Sequence, residues 1–225
     1  MINFFKNSKF WKFIGNWSAS SADQSADEAD WKLEFGNYDD GFTIAELAIV
    51  VAIIAALTGA VLIILNPVEY IGQGRDTKRI GDMDELNTAV GLYASVVRGS
   101  KGTANKVYIS IPDSNVDCSG INGLPALNIG WSYSCVTEEN YKETGGSGWL
   151  PVNLNALPGG STVQPLPVDP ENDAALGYYA YMVSASGYKL MAPISSAKFG
   201  SKAQTDGGVS SGWYEVGSDL SISAF

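Results

Sequence analysis

Gly41, Phe42, Thr43, Ile44, Ala45 and Glu46 run directly into nineteen uncharged residues, 47–65, and this junction decides how the chain is read. A bilayer core of about 30 Å takes about 20 apolar residues in a helix, so the run is long enough to span one with little to spare. Glu46 stands at its edge. A carboxylate this close to hydrocarbon costs on the order of a few kcal/mol, less at an interface than at the centre, and by default such a residue has a partner. Cutting the bond between Gly41 and Phe42 would supply one, because Phe42 would then carry a new ammonium one helical turn from Glu46 on the same face. In the first turn Glu46 would offset both that ammonium and the helix dipole. The same pairing could form between neighbouring chains.

The combination of Gly41, Phe42, Thr43 and Glu46 ahead of an apolar helix resembles the class III signal of type IV pilins and of the pseudopilins of type II secretion systems. The resemblance implies that a prepilin peptidase cuts after Gly41 and methylates Phe42, and that Phe42, Thr43 and Glu46 act in assembly. Two further stretches resemble a subset of bacterial type IV pilins: residues 146–153, which contain Trp149 and Pro151, and residues 166–172, which contain Pro167, Asp169 and Pro170. The stretch with Arg75, Asp76, Arg79 and Asp82, leading to Leu86 and Tyr93, is similar to pilins as well.

The function implied is that of a non-enzymatic structural subunit of a type IV pilus-like filament. It would be held in the cytoplasmic membrane by a single pass as a prepilin, then extracted into a cell-surface or periplasmic fibre. Its partners would be the prepilin peptidase, copies of itself or other pilins, and the assembly platform with its ATPase. One alternative is a pseudopilin of a type II secretion or DNA-uptake machine. Another, from a different class, is a membrane-tethered binding protein or enzyme that only shares the signal.

Composition narrows the chemistry. The 225 residues, 45% hydrophobic and 17% charged, leave room for one membrane segment and one ordinary globular domain. Net charge is −10, and removal of residues 1–41 would leave ten basic and seventeen acidic residues, a balance of −7. Broad basic patches for nucleic acid are not expected. Histidine is absent, which excludes a Ser-His-Asp triad, a histidine general base and imidazole-ligated zinc.

Residues 1–41 form the leader expected from the resemblance, but this one is long, and Asp39 and Asp40 stand directly before the cut. Its first stretch, 2–17, mixes Phe4, Phe5, Phe10, Trp11, Phe13 and Trp17 with Lys6, Lys9 and Lys12, the pattern of a basic amphipathic helix on a membrane surface. Residues 18–30 read as a flexible linker. Near the apolar run, the amino side offers only Lys32 and the carboxyl side Arg75, Lys78 and Arg79, so charge alone would place the carboxyl side inside. The cysteine pair and the resemblance place it outside, and that orientation is the one expected.

Residues 42–65 are thus the transmembrane and assembly helix, and 66–99 continue it as an amphipathic rod. Asn66 and Pro67 interrupt the two with a kink. Ile80, Met83, Leu86, Val90, Tyr93 and Val97 recur every three or four residues as a buried stripe, with Asp76, Lys78, Arg79, Asp82, Asp84 and Glu85 expected on the wet side. Gly72, Gly74 and Gly81, each costing about 1 kcal/mol relative to alanine, make residues 66–81 the softest part of the rod.

From residue 100 to 225 a β-rich head is expected, with strands over 106–111, 131–136, 150–154, 178–183, 188–192 and 213–216. The clearest pair is 178–183 with 188–192, joined by a four-residue loop. The fold class is α+β, with a small antiparallel sheet packed on the outer half of the long helix. Cys118 and Cys135, the only cysteines, read as a disulfide of an exported domain. Asp169, Asn172 and Asp173 are weak candidates for calcium, since Asx turns explain the same residues. No other cofactor is expected.

Overall fold

Proline cannot donate the amide hydrogen bond that would carry a helix through residue 67, and the chain steps into the left-handed region at Asn66 (φ 42°) before a second helix starts. The computed structural model describes residues 41–225, and the leader features expected over 1–40 lie outside them. Helix α1 is Ile44–Leu65 and helix α2 is Pro67–Val96. Pro67 occupies the first turn of α2, where its missing donor is harmless.

Within α1 the window Ile44–Val61 has mean hydropathy 2.5 and none of it is buried. It is long and apolar enough to cross a membrane. Helix α2 instead buries one face, with Met83, Leu86 and Val90 at 0% exposure and Ile80 and Tyr93 nearly so, as the spacing predicts. Asp76 and Arg79 depart from the expected wet side, because both are fully buried.

Among the described residues five strands form one sheet: β1 (Lys106–Ile109), β2 (Ser132–Ser134), β3 (Ala180–Val183), β4 (Tyr188–Pro193) and β5 (Trp213–Gly217), in the order β2-β1-β3-β4-β5. The expected hairpin is present, with Val183 opposite Tyr188 and residues 184–187 as its loop. The sheet is mixed rather than antiparallel, for β1 and β2 run parallel. Residues 110–131 form a long crossover between them, and a parallel neighbour needs such a return path. The strand expected over 150–154 is absent. Pro151 lacks a donor, so Gly145 and Asn153 form only an isolated bridge, followed by a short 3-10 turn at Leu154–Ala156. Helix α3, Ala197–Thr205, was not expected, since it carries no run of periodic apolar residues.

Strand alternation builds two cores. Tyr179, Tyr181 and Val183, with Tyr188, Leu190 and Ala192, meet α2 together with Trp149, Leu150, Val152 and Leu154. On the opposite face Val107, Ile109, Tyr178, Met182 and Met191 pack beneath Cys118, Cys135, Ile222 and Ala224. Strand β3 is therefore buried on both faces, which accounts for its unbroken apolar sequence.

Cys118 and Cys135 are bonded, with Cα atoms 5.2 Å apart. The bridge pins the β1–β2 crossover over the second core. Reducing it, or replacing both cysteines by alanine, is expected to remove about 3 kcal/mol of stability in the chain-entropy model. Urea unfolding of the detergent-solubilised chain with and without reductant measures this, and identical midpoints would refute it.

Candidate functional site

Thr43 and Glu46 close the start of α1 on each other. The Thr43 amide and hydroxyl both donate to Glu46 Oε2, at 3.0 and 2.9 Å, and the Glu46 amide donates back to Thr43 Oγ1 at 3.1 Å. This is a capping box, a Thr at the N-cap and a Glu three residues on, which satisfies otherwise orphaned amides and sets a carboxylate at the positive end of the helix. Such a cap is worth about 1 kcal/mol. It fixes where the helix begins, so Gly41 and Phe42 lie outside it, and both are exposed, Phe42 at 86%.

In the uncut chain Phe42 does not share a helical face with Glu46, because Thr43 ends the helix before reaching it, and the expected pairing concerns the chain after scission. The carboxylate has Thr43 as a partner while the Gly41–Phe42 bond is intact. A peptide bond in exposed, non-helical chain is the form a protease can take into an extended cleft, and here the bond stands just before a capped helix end.

A second cluster joins α2 to the head. All five guanidinium donors of Arg79 are used: Nε to Asp169 Oδ2 at 2.6 Å, Nη2 to Asp169 Oδ1 at 2.9 Å and Glu171 Oε2 at 3.1 Å, and Nη1 to Asp76 Oδ1 at 3.1 Å and Ser195 Oγ at 3.2 Å. Asp76 in turn accepts the amides of Ser195 and Ser196, the latter at 2.7 Å. One side chain thus ties α2 to the proline-rich loop 166–172 and to the chain leaving β4. Gly177 completes the cradle, since a Cβ there would stand 2.5 Å from Arg79 Nη2. Phenols from the sheet reach the same helix, Tyr179 to Asp82 at 2.6 Å, Tyr188 to Asn87 at 2.9 Å and Tyr214 to Asp84 at 2.8 Å. Residues 66–81, expected to be soft, carry on their head-facing side the links made by Arg75, Asp76, Lys78 and Arg79, while the phenols meet the helix just beyond, at residues 82–87.

Sequence reasoning missed Arg79 and Asp76 as buried partners. A signal was present: Arg79 precedes Met83, Leu86 and Val90 at helical spacing, so it stands on the apolar stripe, with an acid three residues before it.

Burial alone would raise the Asp76 carboxyl, but hydrogen bonds from Ser196, Ser195 and Arg79 outweigh it and hold the group below the usual carboxylate range. A depressed folded-state pKa gives stability that is complete above the unfolded value of about 4 and is lost as pH falls through the folded value. The melting temperature of the head is expected to be flat at neutral pH and to drop below about pH 4, with a shallower acid dependence in Asp76→Asn. Thermal melts across that window test it; an unchanged acid limb in the variant would remove Asp76 from the account.

The three calcium candidates have partners within the chain. Asp169 Oδ1 accepts the Glu171 amide at 2.9 Å besides Arg79, Asn172 exchanges hydrogen bonds with Ser110, and Asp173 Oδ1 accepts the amides of Ala175 and Leu176. For Asp169 and Asp173 these are the Asx-type turns the spacing allowed, while Asn172 is held by Ser110, far along the chain. Among the described residues no group of three or more His, Cys, Asp or Glu is placed to hold a metal ion. No protein-family model, curated protein or solved structure matches the chain.

Proposed function

We propose that this chain is the membrane-held precursor of a type IV pilus-like filament subunit, cut after Gly41 and polymerised through α1. One observation carries the reading: an exposed, non-helical Gly41–Phe42 bond stands immediately ahead of a helix capped by Thr43 and Glu46, whose apolar window is wholly unburied. A helix apolar on all sides must be surrounded by lipid or by copies of itself. Scission would add an ammonium at Phe42 close to a carboxylate already oriented at the helix end. In a bundle of parallel copies that carboxylate can answer a neighbour's ammonium, so charge and apolar surface are satisfied by one arrangement. The role is non-catalytic, and the head is the part left facing outward.

Coexpression with a prepilin peptidase followed by mass spectrometry tests this. The expected product begins at methylated Phe42, and a chain that still begins at Met1 overturns the proposal. Glu46→Ala is expected to leave membrane insertion intact and to suppress filament formation severely, read by shearing and electron microscopy. Normal fibres from that variant would deprive Glu46 of its assigned part.

A further inference from the structure

We propose that the first turn of α2 is a lipid-contact surface, with Val68, Tyr70 and Ile71 seated in the headgroup–acyl boundary of the bilayer that holds α1. This inference rests on the reading of α1 as the spanning segment of a precursor.

Its 22 residues rise about 33 Å at about 1.5 Å each, against a hydrocarbon core of about 30 Å, so the helix is used up at Leu65. Asn66 then breaks the backbone where the membrane ends. Apolar side chains nevertheless continue past the break. Val68, Tyr70 and Ile71 are 76%, 59% and 58% exposed, while the buried face of α2 begins at Gly72 and Asp76. Single exposed apolar residues are ordinary, but three within four positions at the end of a membrane-length helix form a patch. Tyrosine belongs at that depth, its ring in the apolar layer and its hydroxyl in the wet one.

The charges around the patch agree. Glu69, the one acid among residues 66–75, accepts the amides of Ala197 and Lys198 at 3.3 Å each and the Gln73 side chain at 3.1 Å, so its carboxylate is answered by the start of α3. Hydrogen bonding from Gln73 and from those two amides holds it below the usual carboxylate range. The same contacts bring exposed Lys198 to the level of this turn, where an ammonium suits lipid phosphate. Three side chains are far too little surface for a stable protein partner, which takes roughly 1,000 Å² or more, whereas partition into a bilayer boundary needs no matching surface.

The test uses the full chain in phosphatidylethanolamine–phosphatidylglycerol vesicles. Val68→Cys, Ile71→Cys, Ile54→Cys and Ile129→Cys are each labelled with an environment-sensitive fluorophore, the native cysteines being held in their disulfide. Lipids carrying a spin label near the headgroup are expected to remove most of the emission at positions 68 and 71. Deep-labelled lipids should do so at 54, and neither should at 129. If 54 is quenched and positions 68 and 71 behave like 129, the first turn stands in water and this inference alone falls. If 54 is also unquenched, the precursor reading falls and takes the inference with it. Shielding at 68 and 71 that grows with protein concentration, without lipid quenching, assigns the patch to a second copy and overturns the proposal.

Discussion

Arg79→Ala is expected to destabilise the head by about 3–5 kcal/mol, the usual consequence of removing one partner from a buried ionic cluster. The loss has two sources. Asp169 and Asp76 are 2% and 0% exposed, so deleting the guanidinium leaves two carboxylates in the interior without their counter-ion. The helix also loses its buried link to the loop that carries Asp169 and Glu171, keeping there the more exposed contacts of Arg75 with Glu171 and of Lys78 with the Val168 carbonyl. Arg79→Lys keeps the charge but cannot reach acceptors on three segments with one ammonium, and it should recover only a minor part of the stability. Urea titration of the detergent-solubilised chain, followed by tryptophan emission, measures both variants. A shift of under about 1 kcal/mol for the alanine variant, the scale of a surface pair, would show that the cluster does not hold α2 to the head.

Trp149→Ala is expected to cost a similar amount, about 3–5 kcal/mol, through the volume it empties. The indole is 0% exposed, its ring centre lies 6.3 Å from that of Tyr179, and its Nε1 donates to the Pro167 carbonyl at 2.9 Å. It therefore supports the proline-rich loop from beneath while Arg79 holds it from α2. Trp149→Phe fills most of the space and forfeits the hydrogen bond, so about 1–2 kcal/mol is expected from it. Equal losses for the two substitutions, from the same unfolding measurement, would mean that packing volume is not what Trp149 contributes.

These two residues show how unevenly the fold can be read from the chain. The apolar stripe of α2 follows from helical spacing, and the hairpin of β3 and β4 from two aromatic-rich runs and the short loop between them. Residues 150–154 carried a strand-like composition yet form no ladder, because Pro151 cannot donate and the apolar side chains are needed to close the core beneath α2. The parallel placement of β2 beside β1 had no local marker either, for it depends on how the disulfide-closed crossover returns. At the candidate site, Gly41, Phe42, Thr43 and Glu46 were found from order and residue type alone, whereas the reciprocal bonds that exclude Phe42 from the helix needed coordinates.

The sequence by itself determined the membrane-length helix, the break at Asn66 and Pro67, the hairpin and the cysteine pair. Each depends on backbone preference or side-chain polarity within a few residues, or on there being only two thiols to join. Only the tertiary structure decided that Arg79 and Asp76 lie inside, that the sheet is mixed and that α3 exists. Their partners stand far along the chain, about ninety positions from Arg79 to Asp169 and about one hundred and twenty from Asp76 to Ser196. A charge is stable in the interior only where folding delivers its opposite, and no local pattern encodes that meeting.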